Sequence, residues 1–246
     1  MDFSLVVPAY NEEYFLPRLL DSVDRARANY VNGPGAIEVI VADNNSTDRT
    51  AEVARERGCR VVPVEKRCIA AARNGGAVMA SGEILCFIDA DSQIHPDTFN
   101  VIRQEFVPEK YVAGATGVTM ERMSLGIFFA YCMMVPMVWV MNMDTGVVFC
   151  RRNDFEAIGG YNEERLFAED VQFLVNMKRL GRPRGQRLAR LTKAKAVAST
   201  RKFDLHGDWH YVGMLLKAPF LVSMFKGKLD AFAREYWYNE RREPPR

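Results

Sequence analysis

Ile84-Leu85-Cys86-Phe87-Ile88-Asp89-Ala90-Asp91 is a continuous apolar run that ends in two carboxylates one residue apart. A short run with no polar alternation is buried on both faces, which is the signature of a strand inside a parallel sheet. Working outward, the same pattern recurs. Phe3–Pro8 is a strand ended by Pro8, Ile37–Ala42 is a second and Cys59–Val64 a third. Between them, Glu12–Arg27 repeats Phe15, Leu16, Leu19, Leu20 and Val23 at helical spacing. Ser46, Thr47 and Asp48 offer caps for a helix running through Arg57 to Gly58, and Ile69–Ala80 is a small-residue helix. Strands alternating with helices predict an α/β fold whose mostly parallel central sheet is flanked by helices.

The second half is less regular. Helical character at Pro96–Phe106 precedes strand-like runs at Val112–Thr119 and Gly146–Arg151, a helical turn at Phe155–Ile158 and a helix over Glu169–Leu180. Met123–Met143 contains no charge, which is close to the roughly 20 residues of a spanning helix. Pro136 lies within it and the chain's mean hydropathy is −0.16, so a buried helix is the first expectation. A spanning helix, a membrane-surface element, an acceptor-binding element and a homodimer seam are the others.

The 246 residues are 48% hydrophobic and 26% charged, which excludes disorder, collagen and coiled coil for the bulk of the chain. The net charge of +2 names no partner, but Lys178–Lys202 carries ten cations and no acid. A solvated surface, an anionic substrate and an anionic membrane all fit that stretch. It has no aromatic residue, so a nucleic-acid partner is not expected. Five cysteines without C-x-x-C spacing fit a reducing compartment, and the N-terminus reads as a strand rather than a signal peptide. The expected location is cytoplasmic, with the inner face of the membrane as the peripheral alternative.

Ligands of an open parallel sheet bind beyond the carboxyl ends of its strands. There the chain places Pro8-Ala9-Tyr10-Asn11-Glu12, then Asp43-Asn44-Asn45, then Asp89-Ala90-Asp91. Carboxylates crowded at one edge call for a counter-ion, and oxygen donors suit Mg²⁺ or Mn²⁺. A bare D-x-D also caps ordinary turns; its place after a buried strand, behind two other acidic strand ends, makes it a ligand candidate. Asp43 can accept the N3–H of a uracil and Tyr10 offers a ring face to the same base. Arg73, set among alanines, can reach a phosphate or the acidic edge. Glu169-Asp170 opens a helix, where a carboxylate serves either as a cap or as a general base. His206 is a structural donor or a metal ligand. Walker, G-x-G-x-x-G, G-x-S-x-G and H-E-x-x-H motifs are absent from the sequence.

In order and spacing, Phe3–Glu13, Val41–Asp48, Arg73-Asn74-Gly75-Gly76, Ile88–Asp91, Gly146–Arg152, Phe155–Tyr161 and Glu169-Asp170 resemble family 2 glycosyltransferases of the GT-A fold, small bacterial type. The resemblance is tight over 1–95 and 144–182 and loose over 105–143 and beyond about 207. It implies a GT-A-type nucleotide-diphospho-sugar transferase fold and an inverting, metal-dependent transfer of a sugar, most commonly UDP-linked, to an acceptor hydroxyl. By the family pattern Pro8, Tyr10, Glu12, Asp43, Asn45, Arg67, Arg73, Asp89 and Ala90 hold the nucleotide. Asp91 takes the metal, Mn²⁺ or Mg²⁺, with His206 carried beside it as the candidate ligand read from the residues themselves, and Asp170, with Glu169 beside it, is the base. Arg201 and Lys202 face the diphosphate. On this pattern residues 1–95 are the nucleotide-binding half and 96–210 the acceptor-binding and catalytic half of one domain, and 211–246 is a C-terminal helical segment. The rivals are a sugar nucleotidylyltransferase, which wants a glycine- and arginine-rich loop that Pro8–Glu13 is not, and a non-catalytic membrane-surface protein. The sequence does not name the acceptor; a lipid-linked or membrane-proximal one is an alternative to burial of Met123–Met143 in a core or homodimer seam.

Overall fold

The computed structural model describes residues 1–106, 109–141, 143–165 and 168–214, with the side chains of 137–141 outside the description. All but the first four residues of the expected C-terminal segment 211–246 lie outside the described residues. The chain forms two compact units. The first comprises Met1–Thr119 and Met143–Ala198, and the second comprises Met120–Asn142 and Ser199–Arg246.

The first unit is built on a seven-stranded sheet. Its strands are β1 (Phe3–Ala9), β2 (Ile37–Asp43), β3 (Arg60–Pro63), β4 (Ile84–Phe87), β5 (Tyr111–Met120), β6 (Val148–Arg151) and β7 (Arg187–Ala198), in the order β3-β2-β1-β4-β6-β5-β7. β1 pairs in parallel with β2 and β4, and β2 with β3, whereas β6 runs antiparallel to β4 and β5. Ala9 stands opposite Asp43 and Val6 opposite Phe87, so β1, β2 and β4 end on one edge. The order inverts after β1, which puts a crevice at that edge.

The helices of this unit are α1 (Leu16–Ala28), α2 (Thr50–Glu56), α3 (Ile69–Val78), α4 (Thr98–Phe106), α6 (Arg152–Ala157) and α7 (Glu169–Gly181). A Cβ on Gly76 of α3 would strike the Val6 side chain, so α3 lies directly on β1. Phe3, Tyr30 and Phe99 fill one face of the sheet, with ring centroids 5.2–6.3 Å apart. Phe87, Phe155, Tyr161 and Phe173 form a second aromatic cluster.

Several boundaries differ from the sequence reading. α1 starts at Leu16 rather than Glu12, because the Glu12 carbonyl accepts the N–H groups of Phe15 and Leu16 in a preceding turn. α2 starts at Thr50. Ser46 Oγ accepts the Asn11 N–H at 3.0 Å instead of opening the helix, whereas Asp48 accepts the Glu13 N–H through Oδ2 at 3.1 Å and the N–H of Thr50, the first helical residue, through Oδ1 at 3.0 Å. β7 occupies much of the basic stretch and was not expected as a strand. From Leu191 its buried residues are Leu191, Ala194 and Ala196, with Lys193 and Lys195 exposed. Arg184 and Arg190 are paired cations: they meet the buried Asp154 and Asp144, both at 2.6 Å, Arg190 partly buried and Arg184 still at the surface.

The second unit holds α5 (Leu125–Met141), which contains Pro136, and α8 (Arg201–His206). Ile127 and Ala130 of α5 pack with Phe203 of α8, against Met120, Tyr211 and Val212. Arg122 forks to Asp204 and Asp208, at 2.5 and 2.6 Å, and ties the start of α5 to the segment after α8. Leu125, Phe128, Phe129, Met133 and Met134 stay exposed, and Phe129 stacks on Trp209 at 5.7 Å. The uncharged segment is therefore a helix with only part of its surface in a core. Among the described residues, no helix is long and apolar enough to cross a membrane.

Candidate active site

The loops after β1 and β2 are laced to each other. Glu12 N–H donates to Thr50 Oγ1 at 2.7 Å, Thr47 N–H to Asn11 Oδ1 at 2.8 Å and Asn44 N–H to the Ala9 carbonyl at 2.8 Å. Asn11 and Asn45 adopt positive φ (53° and 65°), a conformation that asparagine tolerates better than most residues. This lacing fixes Asp43, whose Oδ1 accepts Ser46 N–H at 3.1 Å. Tyr10 stands just beyond β1 with the Arg67 guanidinium 4.1 Å from its ring centre, so the two form one platform. Pro8 is buried within β1 and Glu12 is buried behind the loop, while Asn45 is exposed.

The centre of the site is Arg73. It lies on α3 with a side chain only 4% exposed, and it reaches three carboxylates. Its Nη2 is 2.9 Å from Asp89 Oδ1, and its Nη1 is 2.8 Å from Glu169 Oε1 and 2.7 Å from Asp170 Oδ1. One guanidinium thus joins the turn after β4 to the first turn of α7. The fork geometry of arginine permits this where a lysine point charge would not. Burial works against the charge, but Asp170, Asp89, Tyr161 and Glu169 together hold Arg73 well above the usual arginine range.

Burial pushes the Asp170 carboxyl up to about 7. Arg73 opposes the rise, and Glu169 and Asp89 add to it. A carboxyl in that range can accept a proton near neutral pH. Tyr161 is pushed well above the usual phenol range by burial, so it stays protonated and is not the base. Burial likewise raises the Cys86 and Cys150 thiols, which keeps them out of nucleophilic chemistry.

Arg73, Asp89 and Asp170 border a cavity with about 30 Å³ of water-accessible space, shared with Ser92, Thr145 and Gly146. That is room for about two waters. Ala90 is buried in the turn between Asp89 and Asp91, and Asp91 is half-buried where Ser92 N–H closes back on the Asp89 carbonyl at 3.1 Å. Among the described residues, no three His, Cys, Asp or Glu side chains form a preformed metal shell. Mg²⁺ and Mn²⁺ bound with a nucleotide take one or two carboxylates and complete their shell with phosphate oxygens and water. Asp91, half-buried after the exposed Asp89 at the sheet edge, would supply such a carboxylate. His206, Arg201 and Lys202 belong to α8 in the second unit, where the His206 ring stacks on His210 at 4.7 Å.

Residues 4–125 match the family model described as glycosyl transferase family 2. The chain belongs to this family. A 4,4'-diaponeurosporenoate glycosyltransferase of Staphylococcus haemolyticus is 34% identical over 121 residues, covering 44% of this chain and 29% of that protein. This family 2 chain spans well under half the length of the curated relatives it matches. Its fold is that of solved GT-A glycosyltransferases. Staphylococcus aureus TarS 1–349 in complex with UDP-GlcNAc superposes with a TM-score of 0.64 at 20% identity, over 82% of this chain and 59% of that one. The mannosyltransferase PcManGT of Pyrobaculum calidifontis in complex with GDP-Man and Mn²⁺ gives 0.60 at 21% identity, over 80% and 56%.

Two residues beside Arg73 escaped the sequence reading as site residues. Asn74 and Tyr161 stood inside the family motifs, but nothing in the motifs says that they touch. The available signal was Gly159-Gly160, a pair that permits close backbone approach just before Tyr161.

Proposed function

We propose that the chain transfers a sugar from a nucleoside diphosphate donor to an acceptor hydroxyl, with inversion, using Asp170 as the base. The observation that carries this reading is the buried Arg73 bridging Asp89 to Glu169 and Asp170 at the carboxyl edge of the sheet. The nucleotide lies over the Tyr10–Arg67 platform, with Asp43 accepting from the base and Pro8, Glu12, Asn45, Asp89 and Ala90 around it. Uridine is the favoured base, in keeping with the UDP-GlcNAc of the TarS complex. Asp91 holds the divalent metal, which when bound neutralises the departing diphosphate.

The acceptor oxygen attacks the anomeric carbon from the face opposite the diphosphate, and its proton passes to Asp170 Oδ2 while Oδ1 stays with Arg73. The bond from the anomeric carbon to the phosphate oxygen breaks, and the nucleoside diphosphate leaves. A single displacement needs no enzyme nucleophile, consistent with the raised thiols. The exposed apolar face of α5 supports an acceptor that is lipid-linked or membrane-proximal, with a homodimer seam as the second use of that face. Flotation with anionic liposomes and sedimentation separate the two.

Thermal shift across a nucleotide-sugar panel, with and without Mn²⁺, tests donor binding, since a donor at 100 times its Kd stabilises by about 2.7 kcal/mol. One UDP-sugar should raise the melting temperature in a Mn²⁺-dependent way, and Asp91→Ala should remove that dependence. No shift with any donor, or a shift untouched by chelator, contradicts the reading.

A further inference from the structure

Three charged contacts do not by themselves fix where a guanidinium sits, because the acids that hold Arg73 are side chains of other elements. The next residue on α3 supplies what is missing. Asn74 Oδ1 accepts the backbone N–H of Tyr161 at 2.8 Å, and Asn74 Nδ2 donates to the Tyr161 carbonyl at 2.9 Å. A third bond runs from Nδ2 to Glu163 Oε1 at 3.0 Å, and Glu163 Oε2 is held by Lys66 Nζ at 2.8 Å. The backbone of residue 161 is thus clamped from both sides by one carboxamide. Gly160 makes the approach feasible: it sits at φ +75°, and a Cβ there would lie 2.6 Å from Asn74 Oδ1.

The clamp places a ring. The Tyr161 ring is centred 5.1 Å from the Arg73 Cζ on one side. It stacks on Phe173 of α7 at 4.2 Å and 12°. α7 carries Glu169 and Asp170 in its first turn. Asn74 therefore fixes a loop whose aromatic ring touches both Arg73 and the helix bearing two of the acids that Arg73 holds. The contact is cation–π in character, and such contacts strengthen when desolvated.

We propose that Asn74 and Tyr161 are positioning residues of the transfer reaction: together they set the guanidinium of Arg73 and, through it, the carboxylate of Asp170. This rests on the glycosyl-transfer reading for the reaction, and on the geometry alone for the positioning. The working part of Tyr161 is its ring face, so its hydroxyl is dispensable. Neither residue belongs to the Tyr10–Arg67 platform or to the loop carrying Asp43. Their loss therefore lowers kcat more than it raises the KM for the donor, the part that reaches KM passing through the Arg73–Asp89 pair.

The direct readout is the ¹H–¹⁵N spectrum of the arginine side chains in the donor-free 246-residue chain, with Arg73 assigned from its absence in Arg73→Lys. The wild type should show resolved, slowly exchanging Arg73 Nη protons. Asn74→Ala and Tyr161→Leu should exchange at least about tenfold faster, and kcat should fall by at least about tenfold with a smaller change in donor KM, as expected when a catalytic group is displaced by a fraction of an ångström. Tyr161→Phe should match the wild type in both. Wild-type protection in Asn74→Ala and Tyr161→Leu overturns the proposal. If circular dichroism shows Asn74→Ala unfolded, Tyr161→Leu against Tyr161→Phe decides; if both disruptive variants unfold, the clamp is a folding tie and the positioning role is overturned. The spectra need no donor. A wild type that transfers no sugar while Arg73 responds as stated therefore refutes the reading of the reaction and not the clamp.

Discussion

Two arginines in this protein do the same thing in opposite surroundings. Arg73 in the first unit and Arg122 in the second each fork across aspartates, at 2.7–2.9 Å and 2.5–2.6 Å respectively. The Arg73 side chain is 4% exposed and that of Arg122 is 40% exposed. The consequences for the acids are opposite. Asp208 is lowered by its hydrogen bond from Arg122. Asp170 is raised, because burial outweighs the attraction of Arg73. The same ion pair is a tie in water and a poised proton acceptor when desolvated.

The largest break in this comparison is Arg73→Met. It leaves three carboxylates around a buried apolar side chain and should cost about 3–5 kcal/mol of stability, the range for removing one partner of a buried ion pair. It should also raise the Asp170 titration further, since the group that opposes the rise is gone. Denaturant unfolding gives the first quantity and carboxyl-detected NMR the second. A variant as stable as the wild type would mean that Arg73 is not the counter-ion of the cluster.

The pH dependence of stability sharpens the contrast. The folded Asp170 keeps its proton up to about 7, whereas the unfolded chain gives it up near the ordinary value of 3.8. Between those limits the folded state binds more protons than the unfolded one, so Asp170 makes stability fall as pH rises. Asp208 does the reverse: its contribution is present above the ordinary carboxylate range and is lost as pH falls through its lowered value. Melting temperatures of Asp170→Asn relative to wild type should therefore climb from pH 4 to pH 7 and level off above it. A constant offset across that range would place Asp170 in the ordinary range.

The smallest effect is expected at Arg122→Ala. An exposed fork contributes little net stability, and salt screens it. The melting temperature should drop slightly at low salt and match the wild type in molar salt. A large drop that persists in salt would make Arg122 a core tie of the second unit.

The sheet edge was legible because strands such as Ile84–Phe87 are apolar throughout and end in acids, so residue type and periodicity agree. β7 was not legible. Its buried residues are mostly small, at Ala189, Ala194 and Ala196, and its exposed positions carry cations, so the strand reads as a charge run. That Arg184 and Arg190 answer buried acids depends on Asp154 and Asp144, 30 and 46 residues away, and no local pattern reports such a distance. At the site, Asp89 and Glu169-Asp170 were named as separate strand-end and helix-start features. Their meeting on one guanidinium was visible only as an arginine among alanines. The clamp between Asn74 and Tyr161 spans 87 residues and joins the Asn74 carboxamide to the backbone of residue 161, which carries no side-chain signature.

The central claim is that Asp170 takes the acceptor's proton. It is tested most directly by nucleoside diphosphate release, in wild type and Asp170→Asn, from the donor that most raises the melting temperature. Donor-induced stabilisation is measured in the same samples. The account predicts at least about a 100-fold loss of release in Asp170→Asn, with donor-induced stabilisation retained. Equal release by the variant, or loss of donor binding with turnover intact, would contradict it.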